Sequence, residues 1–289
     1  MTYGFPCKNI SISGNLEGFE RGSNTQSSLL WEAMRIAKKK KPKYMIAENV
    51  KNLVSKRYKK DFLKWLKYLE GLGYENYWEV LDAQDFNIPQ SRQRVFVVSV
   101  RKDIDHSFEF PKGKKTDLVV GHFLNPRIND KYYLSDDALK YMNRKVKDER
   151  THWDFGHHAW INKSSKTITA NIYKGVPYGI VICAMRGRYD KKGDVKQQIE
   201  ARKDNLSNVI TTVQKDNLVF KIKKRKIRRL TPLECWRLMG FNDEDYWRAR
   251  FALEEKYYYG NDRSDTRMYK MAGNSIVVPV LEAIFNKLF

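Results

Sequence analysis

The first hundred residues alternate short apolar runs with amphipathic helical patterns. Residues 43–50 and 94–101 are apolar runs of strand length, and residues 74–83 form a third strand-like segment. Residues 26–39 repeat apolar side chains at helical spacing, and residues 59–74 do so again, with Phe, Trp and Leu on one face. Strands and helices that alternate in this way predict an α/β layer structure built around a parallel sheet.

The pattern changes after about residue 105. Residues 126–225 hold short β-like runs separated by Gly, Asn and Lys, which predicts a smaller β-rich domain. The C-terminal residues form a last amphipathic pattern, which we expect to return to the first domain. The chain therefore divides into residues 1–125, 126–263 and 264–289.

The charge balance favours a polyanionic partner. Lys and Arg number 55 against 34 Asp and Glu, a net charge of +21 at pH 7. A field of this sign attracts nucleic acid, and the 7 Trp and 17 Tyr residues suit a surface on which bases stack. A solvated basic surface is the alternative, and charge does not distinguish DNA from RNA.

Several classes of protein are disfavoured. Cys7, Cys183 and Cys235 are far apart, and the five His residues have no metal-ligand spacing, so we expect no metal site. We find no membrane-spanning apolar run and no signal peptide. These features predict a protein of the reducing cytoplasm.

Four residues are candidates for catalysis. Cys7 follows Phe-Pro near the N-terminus, and a lone cysteine is usually an inert structural thiol unless other groups activate it. Glu48 ends an apolar run, where open α/β sheets place reactive groups. Arg92 and Arg94 are two residues apart in extended chain and therefore point the same way. Taken singly, each has an ordinary explanation as an ion pair or a cap.

Five stretches, taken together and in order, carry more information: GFPCKNISISG, AENVKNL, IPQSRQRVFVV, RRLTPLECWRLMGF and AGNSIVVPV. They resemble the ordered motifs of the DNA cytosine-5 methyltransferases over nearly the whole chain, except the middle of the β-rich region, where that family varies. The resemblance implies an α/β fold, namely a partial Rossmann-like methyltransferase sheet with an inserted target-recognition domain. Residues 1–125 would be an N-terminally incomplete catalytic domain, 126–263 the target-recognition domain, and 264–289 the returning helix.

The resemblance also implies a reaction, methylation of cytosine C5 in a specific sequence of double-stranded DNA, with S-adenosylmethionine as methyl donor. The Cys7 thiolate would add to C6 of a cytosine flipped out of the duplex, which makes C5 nucleophilic. Glu48 would hold the N3 and exocyclic amine edge, and Arg94 would reach O2. We expect Arg92 and Arg94 to stabilise the thiolate.

Further site residues follow from the same resemblance. Those expected to contact the base or the DNA are Ser11, Ser13, Asn49 and Gln90. In the β-rich region, where no recognition code is readable, loop side chains that include Arg186 and Arg188 are expected to contact the DNA. Those expected to remain of the cofactor site are Pro6, Leu29 and Asn274. The resemblance also implies a protein encoded by a prokaryote or a phage and belonging to a restriction–modification system.

The chain departs from the family pattern in ways that bear on activity. A Phe-x-Gly-x-Gly cofactor loop normally precedes the Pro-Cys motif, and this sequence has none, so we expect an incomplete cofactor pocket and a complementing N-terminal subunit or fragment. Lys8, Gln26 and Met271 replace the usual Gln, Arg and Gln. Three hypotheses stay open: one subunit of a split DNA enzyme, a catalytically inactive DNA-binding relic, and an enzyme that acts on RNA.

Overall fold

The computed structural model describes residues 1–11, 16–105, 107–115, 117–135, 180–189, 195–201, 206–207, 209–210, 218–221, 226–259 and 264–289. The chain forms two compact units. The first comprises Met1–Phe86, Arg92–Lys114 and Pro279–Phe289, and the second Asn87–Ser91 and Lys115–Val278. The domain boundaries after residues 125 and 263 stay predictions.

A four-stranded sheet organises the first unit. Its strands are β1 (Thr2–Gly4), β2 (Tyr44–Val50), β3 (Tyr74–Asp82) and β4 (Gln93–Arg101), in the spatial order β1-β2-β4-β3. Helix α1 (Leu30–Lys40) and helix α2 (Lys59–Gly71) separate the first three strands along the chain. The predicted α/β class is confirmed.

The sheet is mixed, so the expectation of a parallel sheet is only partly correct. β1 and β2 are parallel, whereas β4 is antiparallel to both β2 and β3. The reason lies in the connection between β3 and β4, which contains a short 3-10 turn, Ala83–Asp85, but no crossover helix. A direct connection of this kind joins antiparallel neighbours, because parallel strands need a long crossover.

The core lies against the central strands of this sheet. β4 is apolar on both faces, and its five Val and Phe residues between 95 and 100 are each at most 2% exposed. Phe62, Trp65 and Leu69 of α2 pack on one face together with Met34 of α1. A strand buried on both sides reads as a continuous apolar run, which explains the sequence of β4. Because the sheet is well packed, it holds the ends of β2 and β4 in fixed positions.

The second unit contains the β-rich part of the chain. Four antiparallel strands, β5 (Ile180–Tyr189), β6 (Val195–Ala201), β7 (Leu218–Lys221) and β8 (Lys226–Arg229), pair in the order β6-β5-β7-β8. The helices that follow are α3 (Pro232–Arg237), α4 (Asp243–Tyr258), α5 (Asp265–Asn274) and α6 (Val278–Leu288), which from Pro279 onward belongs to the first unit.

A fully buried ion pair joins β8 to α3. Arg228 and Glu234 form two bonds, Nη1 to Oε2 at 2.8 Å and Nη2 to Oε1 at 2.9 Å, and neither side chain is exposed. The Glu234 carboxylate also accepts from the backbone N–H groups of Thr231 and Asn125. Because a buried pair persists only when its remaining lone pairs are satisfied, these contacts fix where α3 begins.

Candidate active site

A tight turn presents Cys7 to solvent. The Cys7 carbonyl accepts from the N–H groups of Ile10 at 2.9 Å and Ser11 at 2.7 Å. Phe5 and Ile10, on either side, are buried at 7% and 0% exposure, while Cys7 itself is exposed. The turn directly follows β1, where Gly4 lies opposite Glu48 of β2. The sequence therefore anchors both flanks of the thiol and leaves the thiol accessible.

Glu48 and Arg94 meet on one face of the sheet. Glu48 pairs with Phe96 and Val50 pairs with Arg94, so Glu48 and Arg94 are diagonal neighbours across β2 and β4. The Arg94 Nε lies 3.1 Å from the Glu48 Oε1, and the two side chains are 17% and 15% exposed. Arg92 is two residues before Arg94 and is buried.

Electrostatics link these groups to Cys7. Burial raises the pKa of Glu48 above its ordinary value, and the Arg94 and Arg92 guanidiniums offset only part of that rise. Burial, and then the positive charge of Arg94, lower the pKa of Arg92 to about 9, so Arg92 stays cationic at pH 7. Glu48, and then Cys7, oppose that lowering of the Arg92 pKa through their negative charge.

Asn49 connects β2 to the turn that carries Cys7. Its buried amide donates from Nδ2 to the Phe5 carbonyl at 3.0 Å, and its Oδ1 accepts from the Val50 N–H at 2.8 Å. The structure thus brings together five of the residues predicted from sequence: Cys7, Glu48, Asn49, Arg92 and Arg94. Their roles toward a base stay predictions.

Sequence reasoning missed three polar residues around the turn. Ser27 donates from Oγ to the Pro6 carbonyl at 2.5 Å, and Asn52 donates from Nδ2 to the Ile10 carbonyl at 2.6 Å. Asn9, inside the turn, is 4% exposed and is bonded to Ser27. The only sequence signal was their position, because Asn9 follows Cys7 by two residues and Ser27 precedes α1.

Gln90 lies in the second unit and is fully buried. Its Nε2 donates to the Leu238 carbonyl at 2.7 Å and its Oε1 accepts from the Ile210 N–H at 2.9 Å. Backbone groups therefore occupy both ends of the side-chain amide. This arrangement stabilises the loop before Arg92, and contact of Gln90 with a base stays a prediction.

The other predicted DNA-contacting residues are placed less fully. Ser11 is half-buried at the end of the Cys7 turn, and Ser13 lies outside the described residues. Arg186 and Arg188 lie on β5, of which the structure describes the backbone.

The predicted cofactor residues fit part of S-adenosylmethionine. Pro6 is exposed beside Cys7, and Leu29, just before α1, is 53% exposed. Their apolar surface suits an adenine ring, but neither side chain can hydrogen-bond a ribose or a carboxylate. Asn274, at the end of α5, is exposed in the second unit. A cavity of about 280 Å³ in the first unit is lined by other residues: Phe19, Glu20, Arg21, Trp31, Asp61 and Lys64.

Two further findings concern the described part of the chain. It contains no group of three or more His, Cys, Asp or Glu side chains placed to hold a metal ion. Among the helices that the structure describes, none is long and apolar enough to cross a membrane.

Comparison with known proteins assigns the family. The sequence model described as C-5 cytosine-specific DNA methylase matches residues 1–289. The chain belongs to this family. Among curated relatives, the type II methyltransferase M2.ScrFI of Lactococcus lactis subsp. cremoris is 38% identical over 288 residues, which cover 100% of this chain and 66% of the relative. The orphan methyltransferase M.SssI of Spiroplasma monobiae is 31% identical and is matched over 65% of its length.

The chain thus spans about two thirds of the length of these two methyltransferases. Solved structures support the fold. The Dnmt2 methyltransferase of S. pombe aligns with a TM-score of 0.55 at 16% identity, covering 99% of this chain and 76% of that one. A putative DNA modification methyltransferase of an E. coli prophage aligns with a TM-score of 0.53 at 18% identity, covering 99% of this chain and 78% of that one.

Proposed function

We propose that this protein methylates C5 of cytosine in a specific sequence of duplex DNA, with Cys7 as the nucleophile. One observation carries the proposal: in a chain of the C-5 cytosine methylase family, an exposed cysteine sits on a fixed turn directly after β1, Glu48 of the neighbouring β2 forms an ion pair with Arg94, and the buried Arg92 interacts electrostatically with the cysteine. A nucleophile needs such neighbours, because a thiolate is stabilised by nearby positive charge.

The chemistry assigns each group a task. The Cys7 thiolate forms a bond to C6 of the target cytosine, and the electron pair of the C5–C6 double bond moves to C5, which can then accept a methyl group. Loss of the C5 proton restores the double bond and expels the thiolate. S-adenosylmethionine is the methyl donor of this reaction. The target base must first leave the base stack, since C6 is inaccessible within a duplex.

Glu48 and Arg94 stabilise charge on the ring during the attack. The raised pKa of Glu48 lets its carboxyl keep a proton at a higher pH than an ordinary glutamate does, and a protonated carboxyl can donate to N3 of the cytosine. Arg94 would donate to O2. Charge that develops on N3 and O2 when sulfur adds to C6 is then met by groups already fixed on the sheet.

The free edge of β1 is the proposed place where the cofactor pocket is completed. In the described sheet, β1 pairs with β2 alone, and Thr2 and Gly4 are exposed. An edge strand presents unpaired N–H and C=O groups to which a further strand can add. We infer that another polypeptide segment, in the same protein or in a separate subunit, pairs here and supplies the remaining contacts to S-adenosylmethionine.

Calorimetry tests the incomplete pocket. The 289-residue chain is expected to bind S-adenosylmethionine weakly, with no micromolar site, because Pro6 and Leu29 offer apolar contact without hydrogen bonds. Adding a methylase fragment with a Gly-rich cofactor loop should restore micromolar binding. A micromolar site on the chain alone would show that these residues suffice and that no further segment is needed.

DNA binding is expected to be strongly salt-sensitive. Lys38–Lys41 and Lys43 are exposed and precede β2, and Glu48 lies five residues beyond Lys43, about 16 Å along the strand at ~3.3 Å per residue. Phosphates held there belong to DNA beyond the target base, and each contact releases counterions. The affinity of the chain should therefore fall steeply between low and physiological salt.

An electrophoretic shift series over salt concentration, with wild type and Cys7→Ser, measures this effect. Binding should persist in Cys7→Ser, because the thiol acts after binding. A flat salt response, or no binding at low salt, argues against DNA as the substrate. Competition between duplex DNA and tRNA distinguishes an enzyme that acts on DNA from one that acts on RNA. Salt-sensitive DNA binding without any reaction of Cys7 with cytosine would identify a catalytically inactive relic.

A further inference from the structure

The backbone on both sides of Cys7 is held by side chains from elsewhere in the first unit. Asn49 binds the Phe5 carbonyl at 3.0 Å, Ser27 binds the Pro6 carbonyl at 2.5 Å and Asn52 binds the Ile10 carbonyl at 2.6 Å. These donors are 21 to 44 residues away from their acceptors in sequence. Long-range side-chain bonds, in addition to the bonds of the turn itself, therefore set the path of the chain at the thiol.

Ser27 and Asn9 form a reciprocal pair that spans Cys7. The Ser27 Oγ donates to the residue immediately before Cys7 and accepts from the Asn9 N–H, two residues after it, at 3.3 Å. The Ser27 N–H in turn donates to the Asn9 Oδ1 at 3.2 Å. Ser27 is 0% exposed and Asn9 is 4% exposed, so water does not compete freely for these bonds.

Asn9 extends the pair to two further parts of the unit. Its Nδ2 donates to the Glu17 carboxylate. Its carbonyl accepts from the Gly18 N–H at 2.8 Å and from the Tyr58 hydroxyl at 3.3 Å. Tyr58 immediately precedes α2, so the pair ties the Cys7 turn to the packed core.

We infer that Ser27 and Asn9, here called the Ser27–Asn9 clamp, are positioning residues that hold the Cys7 thiol in the geometry for attack beside Arg92 and Glu48. The inference rests on the proposed function. Losing the Ser27 hydroxyl would leave the buried Asn9 N–H and the part-buried Pro6 carbonyl without this partner, and the turn would shift to satisfy them. A displacement of about 1 Å at a reacting atom can reduce a rate by roughly 100-fold.

The test compares Ser27→Ala with Ser23→Ala, a matched control whose exposed hydroxyl contacts Thr25 at 3.0 Å outside the turn. Cofactor-free release of tritium from DNA carrying C5-tritiated cytosine reports attack by Cys7. Ser27→Ala should slow release by about 10- to 100-fold with the DNA dissociation constant within about twofold of wild type. Ser23→Ala should match wild type, and Ser27→Thr, which retains a hydroxyl, should recover part of the loss.

A second readout is independent of cytosine chemistry. Alkylation of Cys7 by iodoacetamide at pH 7, followed by peptide mass spectrometry, reports how the turn presents the thiol to a reagent in solution. Because access to the thiol depends on the path of the turn, Ser27→Ala should change the alkylation rate by roughly threefold or more relative to wild type. A purely structural role would lower the melting temperature and leave the alkylation rate of the folded protein unchanged.

The outcomes separate the clamp from the proposed function. Folded Ser27→Ala protein with wild-type tritium release and wild-type alkylation overturns the clamp. If wild type binds DNA and releases no tritium, the proposed function fails, and alkylation of Cys7 alone then decides the clamp. Should Ser27→Ala not fold, Asn9→Ala, which removes the other half of the pair, is judged by the same two rates.

Discussion

Cys7→Ser is expected to abolish the release of tritium from duplex DNA that carries cytosine tritiated at C5. When a thiolate adds to C6, C5 becomes basic enough to take a proton from water, and reversal of the addition then releases the original tritium. The reaction needs no methyl donor, so it isolates the step assigned to this chain. Serine is a far weaker nucleophile at neutral pH, and we expect a loss of roughly 1000-fold or more.

Cys235→Ala is the matched control for this experiment. Cys235 is 2% exposed and burial raises its pKa, so its thiol is protonated and inaccessible. The folded fraction of Cys235→Ala should release tritium at the wild-type rate per molecule. Release by Cys7→Ser would mean that another group attacks the base.

Glu48→Gln is expected to slow the same exchange by about 100-fold or more. The amide keeps the shape of the side chain and can still accept from Arg94, but it has no acidic proton to share with N3 of the cytosine. Glu79→Gln is a suitable control, because Glu79 lies exposed on β3, where it pairs with the same Phe96 of β4. A Glu48→Gln rate within a few-fold of wild type would remove Glu48 from the reaction.

The raised pKa of Glu48 adds a pH dependence to this prediction. Above its unfolded value of 4.5, the folded carboxyl stays protonated until the pH passes the raised pKa. The exchange rate of wild type should therefore contain a limb that falls as pH rises through that pKa, and Glu48→Gln should lack it. The stability follows the same sign, since the protonated form stabilises the fold at low pH and this contribution is lost as pH rises.

Local patterns explain why much of the first unit could be predicted from sequence. The apolar run of β4 and the one-sided apolar face of α2 are local signals, and Phe62, Trp65, Leu66 and Leu69 are buried as the helical spacing predicted. The mixed direction of the sheet was not predictable in this way. It depends on which strand β4 joins, and strand pairing is a tertiary choice that periodicity does not encode.

The residues of the candidate site likewise differ in whether a local sequence pattern identifies them. Cys7, Glu48 and Arg94 could be proposed from sequence because each lies in a recognisable stretch. The structure pairs Glu48 with Arg94 on one face of the sheet and carries Cys7 on the turn after β1, where Gly4 lies opposite Glu48. The Ser27–Asn9 clamp could not be proposed from sequence, because Ser27 joins the turn through bonds across 18 and 21 residues with no periodic signature. Polar side chains that bind distant backbone carbonyls produce no local pattern in the sequence.

Covalent trapping on DNA tests whether Cys7 is the nucleophile that attacks the cytosine. Duplex DNA with 5-fluorocytosine at the target position is incubated with S-adenosylmethionine, the chain and, if calorimetry requires it, the cofactor-binding fragment. Fluorine cannot leave C5 as a proton does, so elimination stalls with the enzyme attached. We expect a denaturant-stable adduct whose DNA-linked peptide contains Cys7 and which Cys7→Ala does not form. An adduct that survives Cys7→Ala, a linkage at another cysteine, or no adduct on DNA that the protein binds would contradict this expectation.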